Sequence, residues 1–302
     1  MAERALRVGI VGYGEAGVFH ARYLVPAGAE VVGAVTTRAL DSGHRRFESL
    51  AEMLHHVDAV TIAVPNHLHA GLCVEALEAG KPVFVEKPLL QTARELETLE
   101  PVLRSTPLPV HVGFRLHWNP TLRALKERLR GVRRIRCNYQ LGIDRLAEGK
   151  PWTHQEKISG GAFFTLGVHA VALVRWLAGA RGEPLTNLRS HTEHYEDNTD
   201  FPLVMSMSGR LPNGIEIAAG VDLRGTAPFR LQLDVEAESG TYPDPSLPGP
   251  APEEKGSEAV EYRGLMADFV RAATSREKPT DAIEEILQTH RDLLLARSLA
   301  ES

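Results

Sequence analysis

Apolar residues in the first 114 positions fall in short, nearly continuous runs, at residues 8–11, 30–35, 58–64, 82–86 and 109–114. A run with no polar face suits a strand covered on both sides, as in a parallel sheet. Between these runs lie stretches with helical spacing, at residues 16–24, 47–55, a segment ending at Ala79 before Gly80, and 93–103. Strand and helix therefore alternate, the pattern of a doubly wound parallel sheet. Residues 114–120 form a crossover, followed by a helix at 121–129 and a long strand at 132–141. In residues 162–179 the apolar side chains Ala162, Phe163, Leu166, Ala170, Leu173 and Leu177 recur at helical spacing and predict a buried stripe. From residue 185 the period drops to two, with strand-like runs at 185–194, 203–208, 215–221 and 229–237 and turns at 212–214 and 225–228. With 132–141 these make about five strands of an open, mostly antiparallel sheet with one covered face. Residues 242–257 are rich in Pro, Gly and Glu and read as an exposed connection. Helices follow at 262–273 and 281–299, the last capped by Thr280 and Asp281. The predicted class is α/β. A doubly wound domain occupies residues 1–116 and an α+β domain residues 117–302, with the last helix free to pack back on the first domain.

Composition narrows this picture. A chain of 302 residues with 43% apolar content supports two ordinary cores. The net charge of −5, from 34 basic and 39 acidic residues, gives no field for nucleic acid or an anionic membrane. Arg133, Arg134 and Arg136 cluster locally and read as a solvated face or strand edge. The opening MAERALRVGIVG has no apolar signal segment, and no apolar run reads as a membrane span. The expectation is a soluble, cytoplasmic protein with Cys73 and Cys137 reduced and buried.

Chemistry begins at residues 7–17, RVGIVGYGEAG, where a strand, a glycine turn and a helix follow one another. Gly12, Gly14 and Gly17 have the G-x-G-x-x-G spacing of a dinucleotide-binding Rossmann turn. Gly12 allows the tight turn, Gly14 the approach of a pyrophosphate, and Gly17 close packing of the helix. Tyr13, Glu15 and Ala16 complete the turn, and the helix N-terminus offers free N–H groups to phosphate. After the second strand stand Thr36, Thr37 and Arg38, where an NAD-binding chain carries an acidic residue for the ribose 2′-hydroxyl. Two hydroxyls and a guanidinium suit a 2′-phosphate, so NADP(H) is favoured, with NAD(H) the alternative. In a parallel sheet ligands sit at the carboxyl ends of strands. Thr36–Arg38, Val64, Pro65, Asn66, His69, Glu86, Lys87, Pro88 and Arg115 should therefore converge on the cofactor.

These motifs resemble the glucose-fructose oxidoreductase, inositol dehydrogenase and MocA family, abbreviated Gfo/Idh/MocA. The resemblance rests on the glycine turn followed by His20-Ala21, on AVPNHLHA at residues 63–70, on EALEAGKPVFVEKPL at residues 75–89, and on the segment from Ser159. It implies an NAD(P)-dependent oxidoreductase acting on hydroxyl or carbonyl groups of a small sugar-like or cyclic substrate. It also implies a homodimer or homotetramer formed through the second sheet. By position Lys87 is the family lysine beside the nicotinamide, in a bond to proline that is often cis. Hydride transfer to a carbonyl builds negative charge on oxygen, which an ammonium stabilises.

The second motif departs from the family pattern of two glycines, then Asp-x-Gly-x-His-x-x-Asp. Gly167 and His169 match, but Thr165 and Ala172 replace the aspartates. Thr165 can hydrogen-bond a substrate but not carry a proton. His169 is the side chain here that titrates near neutrality when unperturbed, and it is assigned proton transfer, with Lys87 polarising the oxygen. Thr165 and His169 share a face at i, i+4, and Trp152 joins them as a substrate contact. Two other readings stay open. One is a biliverdin-reductase-like enzyme, which the loop at residues 35–38 resembles; the other is a dinucleotide-binding sensor without catalysis. His191, His194, Glu193 and Glu196 lack the usual three-ligand spacing, and no metal is expected.

Overall fold

The computed structural model describes residues 4–40, 43–144, 151–195, 198–224, 229–243, 257–277 and 280–301. The turn expected at 225–228, Glu196 and the side chains of Thr280 and Asp281 lie outside the described residues. Contacts divide the chain into two compact units, Met1–Arg115 with Val260–Ile283, and Leu116–Ala259 with Glu284–Ser302.

The first unit holds strands β1 (Leu6–Val11), β2 (Ala29–Val35), β3 (Arg45–Phe47), β4 (Ala59–Ile62), β5 (Val83–Val85) and β6 (Val110–Val112). Every pairing is parallel, in the order β3-β2-β1-β4-β5-β6. The order reverses between β1 and β4, the switch point at which such sheets take ligands. Helices α1 (Glu15–Leu24), α2 (Leu50–Leu54), α3 (His69–Glu78) and α4 (Ala93–Ser105) make the crossovers. Thr92 and Glu95 form a reciprocal capping box on α4.

The helix expected at residues 47–55 is corrected. Residues 45–47 are instead an edge strand, and α2 is five residues long. Ser49 ends the extended stretch, its hydroxyl accepting from the Glu52 N–H at 3.2 Å.

The penultimate helix, α8 (Ser257–Ser275), supplies residues 260–275 to the first unit. Phe269 is fully buried and meets Phe84 and His111 edge-on at 5.8 and 5.7 Å. Burying one such ring stabilises by about 2–3 kcal/mol. The sequence assigned any return to the last helix. The residues that group with the first unit are 260–283, and most of that last helix, α9 (Thr280–Ala300), belongs to the second.

The second unit has α5 (Pro120–Arg128), β7 (Val132–Gln140), α6 (Glu156–Ser159), α7 (Val168–Ala178), β8 (Thr186–Tyr195), β9 (Asn198–Arg210), β10 (Glu216–Asp222), β11 (Arg230–Ala237) and β12 (Gly240–Pro243). Its sheet runs β12-β11-β7-β10-β9-β8, antiparallel except for β7 with β10. The open, mostly antiparallel sheet is as expected, with six strands rather than about five. The extra one, β12, pairs residues 240–243 with the end of β11 through a tight hairpin and takes in the first two residues of the connection expected at 242–257, of which 244–256 lie outside the described residues.

Ile135, Cys137 and Tyr139 face inward from β7 under α7, while Arg134 faces outward between Glu216 and Glu236 at 2.9 Å each. Both cysteines are buried, and burial pushes the Cys73 thiol up to about 12.

Residues 162–179 are not one regular helix. Phe163–Gly167 is a π turn, and α7 begins at Val168. The stripe from Ala162 to Leu177 is buried, but so are Phe164, Val168, Val171 and Val174, so the segment is enclosed on all sides. The expectation of no membrane-length run is corrected by composition alone: Glu156–Ala178 is long and apolar enough, with mean hydropathy 1.5. Its most apolar stretch is 89% buried within the fold, which accounts for that hydropathy.

Candidate functional site

The glycine turn is built by contacts that exclude side chains. Gly12 has φ +89°, and its N–H donates to Val35 O at 2.9 Å. A Cβ there would lie 2.3 Å from Ala63 O, and one at Gly17 would lie 2.1 Å from Gly12 O. Gly14 differs, because its Cβ would meet only the Arg38 guanidinium carbon, at 4.0 Å. The backbone at Gly14 is therefore open on the side from which a pyrophosphate approaches. Gly14 caps α1 with no side-chain hydrogen bond, at the helix end where an anion is favoured. Glu15 is exposed, Ala16 is half-buried, and the half-buried Tyr13 ring stands edge-on to His44 at 6.4 Å. The residues present thus fit a nicotinamide dinucleotide at this turn.

Because all six strands are parallel, their carboxyl ends share one edge of the sheet. Gly12–Gly17, Thr36–Arg38, Val64–Asn66, Glu86–Pro88 and Arg115 follow those ends. The Thr36 hydroxyl accepts from the Arg38 N–H at 3.0 Å, while the Thr37 and Arg38 side chains are exposed. Arg46, from the neighbouring edge strand, donates to Arg38 O. Sequence reasoning missed Arg46, which becomes visible only once β3 pairs with β2.

Val64 and Pro65 are half-buried and Asn66 is buried in a turn of 3-10 helix. His69 is held by backbone alone. Its Nδ1 lies 2.6 Å from Pro88 O and its Nε2 2.8 Å from Val64 O, so it brackets the segments after β4 and β5. Burial pushes its pKa down, against both carbonyls.

Lys87 is half-buried at the end of β5, and the Lys87–Pro88 bond is cis. Glu86 is 9% exposed. Its Oε1 accepts from His20 Nε2 at 3.1 Å and from the Tyr262 hydroxyl at 3.0 Å. Burial raises its pKa, but His20, Lys87 and Tyr262 outweigh burial and hold it down at about 2. Arg115 pairs with the buried Glu261 of α8. His20, Glu261 and Tyr262 were not predicted as site residues. His20 stands in the family motif, but nothing in the spacing of residues 261 and 262 connects them to residue 86.

In the second unit Trp152 is half-buried in the short turn Pro151–His154. Thr165 is buried in the π turn and its hydroxyl donates to Ser159 O at 3.4 Å. The expected i, i+4 face-sharing of Thr165 and His169 is altered, since Thr165 precedes the regular helix. His169 is buried at the start of α7, with its ring stacked on Tyr139 at 6.2 Å. Tyr139 was missed, although its inward alternation with Ile135 and Cys137 is readable from the strand. Among the described residues no group of three His, Cys, Asp or Glu could hold a metal.

Two family models match the chain. Residues 6–114 match the oxidoreductase family with an NAD-binding Rossmann fold, and residues 128–242 match the Gfo/Idh/MocA C-terminal domain. The NAD(+)-dependent scyllo-inositol 2-dehydrogenase of Bacillus subtilis is 29% identical over 201 residues, covering 63% of this chain and 58% of that protein. The NADP(+)-dependent scyllo-inositol 2-dehydrogenase of the same organism is 25% identical over 213 residues, covering 66% of this chain and 59% of that protein. The chain thus aligns with less than two thirds of either relative. The solved structure of GenD2 from gentamicin A biosynthesis, in complex with NAD, superposes with a TM-score of 0.85 at 20% identity, over 100% of this chain and 96% of that one. With both family models matched, each on its own unit, the chain belongs to the Gfo/Idh/MocA oxidoreductase family.

Proposed function

We propose that the protein is a nicotinamide-dependent dehydrogenase that interconverts a ring hydroxyl and a carbonyl on a cyclic polyol or sugar, with NADP(H) preferred over NAD(H). The observation that carries this reading is Lys87, half-buried on the sheet edge that bears the glycine turn, with the ionised Glu86 next to it. When bound, the dinucleotide supplies the redox chemistry, accepting or donating a hydride. The open backbone at Gly14 and the first N–H groups of α1 receive its pyrophosphate. Thr37 and Arg38 are exposed just past β2, and no carboxylate follows directly to repel a 2′-phosphate. The Lys87 ammonium stabilises negative charge on the reacting oxygen. His169 is assigned the proton transfer, because an imidazole takes up and releases a proton near neutral pH. The two scyllo-inositol dehydrogenases among the relatives support a cyclic polyol, and they divide between NAD(+) and NADP(+). The outer face of the second sheet, where the small residues Ser206, Ser208, Ala218 and Gly220 adjoin across β9 and β10, is the surface proposed for a second copy.

The test is a cofactor titration followed by turnover on a panel of inositols and sugars. NADPH should bind at least tenfold tighter than NADH, and Arg38→Ala should erase that ratio. Lys87→Met should lower kcat by about 10²–10⁴-fold, the range of a positioned proton or charge group, with dinucleotide affinity nearly intact. A fully active Lys87→Met protein, or no turnover on any hydroxyl or carbonyl compound, overturns the proposal.

A further inference from the structure

Beside Lys87 the structure spends polar groups where packing does not require them. The geometry assigns His20 and Tyr262 a positioning role: they fix the Glu86 carboxylate as a permanent counter-charge for Lys87, so that the lysine acts as a cation. This rests on the reading that Lys87 is the reacting lysine.

Glu86 and Lys87 are neighbours just past the end of β5. Glu86 is the buried one, enclosed from three directions. His20 reaches it from α1 and Tyr262 from α8, both on Oε1. The end of β6 closes the third side, since a Cβ on Gly113 would lie 2.8 Å from Glu86 Oε2. Neither donor is loosely placed. His20 is fully buried and edge-on to Phe84 at 5.0 Å. The Tyr262 ring lies parallel to Phe19 and Tyr23, at 5.2 and 6.4 Å.

An isolated buried carboxyl group takes up a proton rather than remain charged. Here two donors, from helices 242 residues apart in sequence by their numbers 20 and 262, meet one oxygen and favour the charged form. A buried ion is costly against an apolar or amide side chain of the same size, so stability alone would not select it. What the arrangement does supply is a fixed negative charge on the residue next to Lys87, with which Lys87 interacts electrostatically. The titratable groups around Glu86 are His20 on α1, Tyr262 on α8, Lys87 beside it and His69 on α3. Arg115 is engaged separately by Glu261. An opposite charge nearby favours the charged form of a lysine, and Glu86 and Lys87 interact electrostatically. The ammonium is thereby retained at the pH where charge builds on the substrate oxygen.

The experiment measures Lys87 directly. The chain has seven lysines, so the ¹³C-methylated apoprotein gives a tractable spectrum, with Lys87 assigned through Lys87→Arg. In Glu86→Gln the titration midpoint of Lys87 should fall by about one unit or more. His20→Leu with Tyr262→Phe should do the same, by letting Glu86 keep a proton. His20→Gln, which restores a donor, should return the midpoint toward that of the unsubstituted protein. Tyr262→Phe alone leaves the ring ladder in place and keeps the test available if the double variant does not fold. Equal midpoints in all folded variants overturn the proposal. The alkaline limb of kcat should move with the midpoint. A moving midpoint without turnover in any protein defeats the proposed function and leaves the positioning role standing. Turnover with a fixed alkaline limb does the reverse.

Discussion

Glu285 offers the sharpest test of the electrostatics of the second unit. Its side chain is 17% exposed, on α9, and its Oε1 is buried without a hydrogen bond. His117 Nε2 lies 3.6 Å away, too far for a good hydrogen bond, and is 3.4 Å from Ala172 O. Burial pushes the His117 pKa down to about 3, so at neutral pH it brings no positive charge. Lys126 sits over the Trp176 ring at 4.2 Å, and Arg175 is paired with Asp292 at 2.7 Å. Burial therefore dominates, and it raises the Glu285 pKa from 4.5 to about 7 even though Lys126, Arg175 and Arg181 pull it down. At about 1.36 kcal/mol per unit, this is worth about 3 kcal/mol. Because the folded value is the higher one, the folded state holds a proton that the unfolded chain has lost between pH 4.5 and about 7. Stability falls as pH rises through that window and levels off above it. Glu285→Gln has the shape of the protonated acid and cannot ionise. It should match the unsubstituted protein near pH 4 and be more stable by about 3 kcal/mol near pH 8. At about 2–4 °C per kcal/mol for a unit of this size, Tm rises by about 6–12 °C at the higher pH. Tryptophan fluorescence reads this unit selectively, because Trp118, Trp152 and Trp176, all three tryptophans, lie in it. An equal change in Tm at both pH values, or destabilisation near pH 8, refutes the reasoning.

Other substitutions separate binding from folding. Gly12→Ala places a Cβ 2.3 Å from Ala63 O at a positive φ, and should destabilise the first unit by about 2–4 kcal/mol in urea unfolding. Gly14→Ala adds a Cβ that meets only the Arg38 guanidinium carbon, at 4.0 Å, so unfolding should change little while calorimetry shows dinucleotide affinity falling at least tenfold; unchanged affinity removes Gly14 from the pyrophosphate site. Ala218→Arg, on the outer face of β10 opposite Ser208, should lower the mass measured by light scattering to that of one chain; an unchanged mass excludes that face as the contact.

What could be read from the sequence follows from how local each cause is. The strand, the glycines and the start of α1 lie within eleven residues, and each glycine's reason is a contact inside that turn or with the next strand. The buried strands showed as apolar runs because both of their faces are covered. The edge strand β3 did not, since Arg45 and Arg46 are polar and exposed, and its three residues blended into the helix that Ser49 begins. The S-x-x-E spacing of Ser49 and Glu52 was the available signal for that start. Residues 162–179 carried a helical period, but the period does not record the π turn, which follows two glycines at positive φ, Gly160 and Gly161. The Glu86 network was out of reach, because His20 and Tyr262 are 66 and 176 positions from the carboxylate they share.

The return of α8 explains why the first unit is not closed by its own first 115 residues. Parallel strands deliver reactive side chains to one edge, but their crossover helices lie on the two faces. Of the donors at that edge, His20 comes from the crossover helix α1, and the others come from another segment. One stretch of α8 provides three: Glu261 to Arg115, Tyr262 to Glu86, and Asp268 to His111 at 3.1 Å. His111 and Arg271 hold the Asp268 pKa down at about 2 against burial, so this contact too is a carboxylate kept charged by its partners. All three partners lie within or just beyond β5 and β6, the strands that carry Lys87 and Arg115. The N-terminal family match ends at residue 114, and the polar support of its last two strands begins at residue 261. The glycine turn is self-sufficient in sequence, whereas the electrostatic setting of Lys87 depends on the chain coming back.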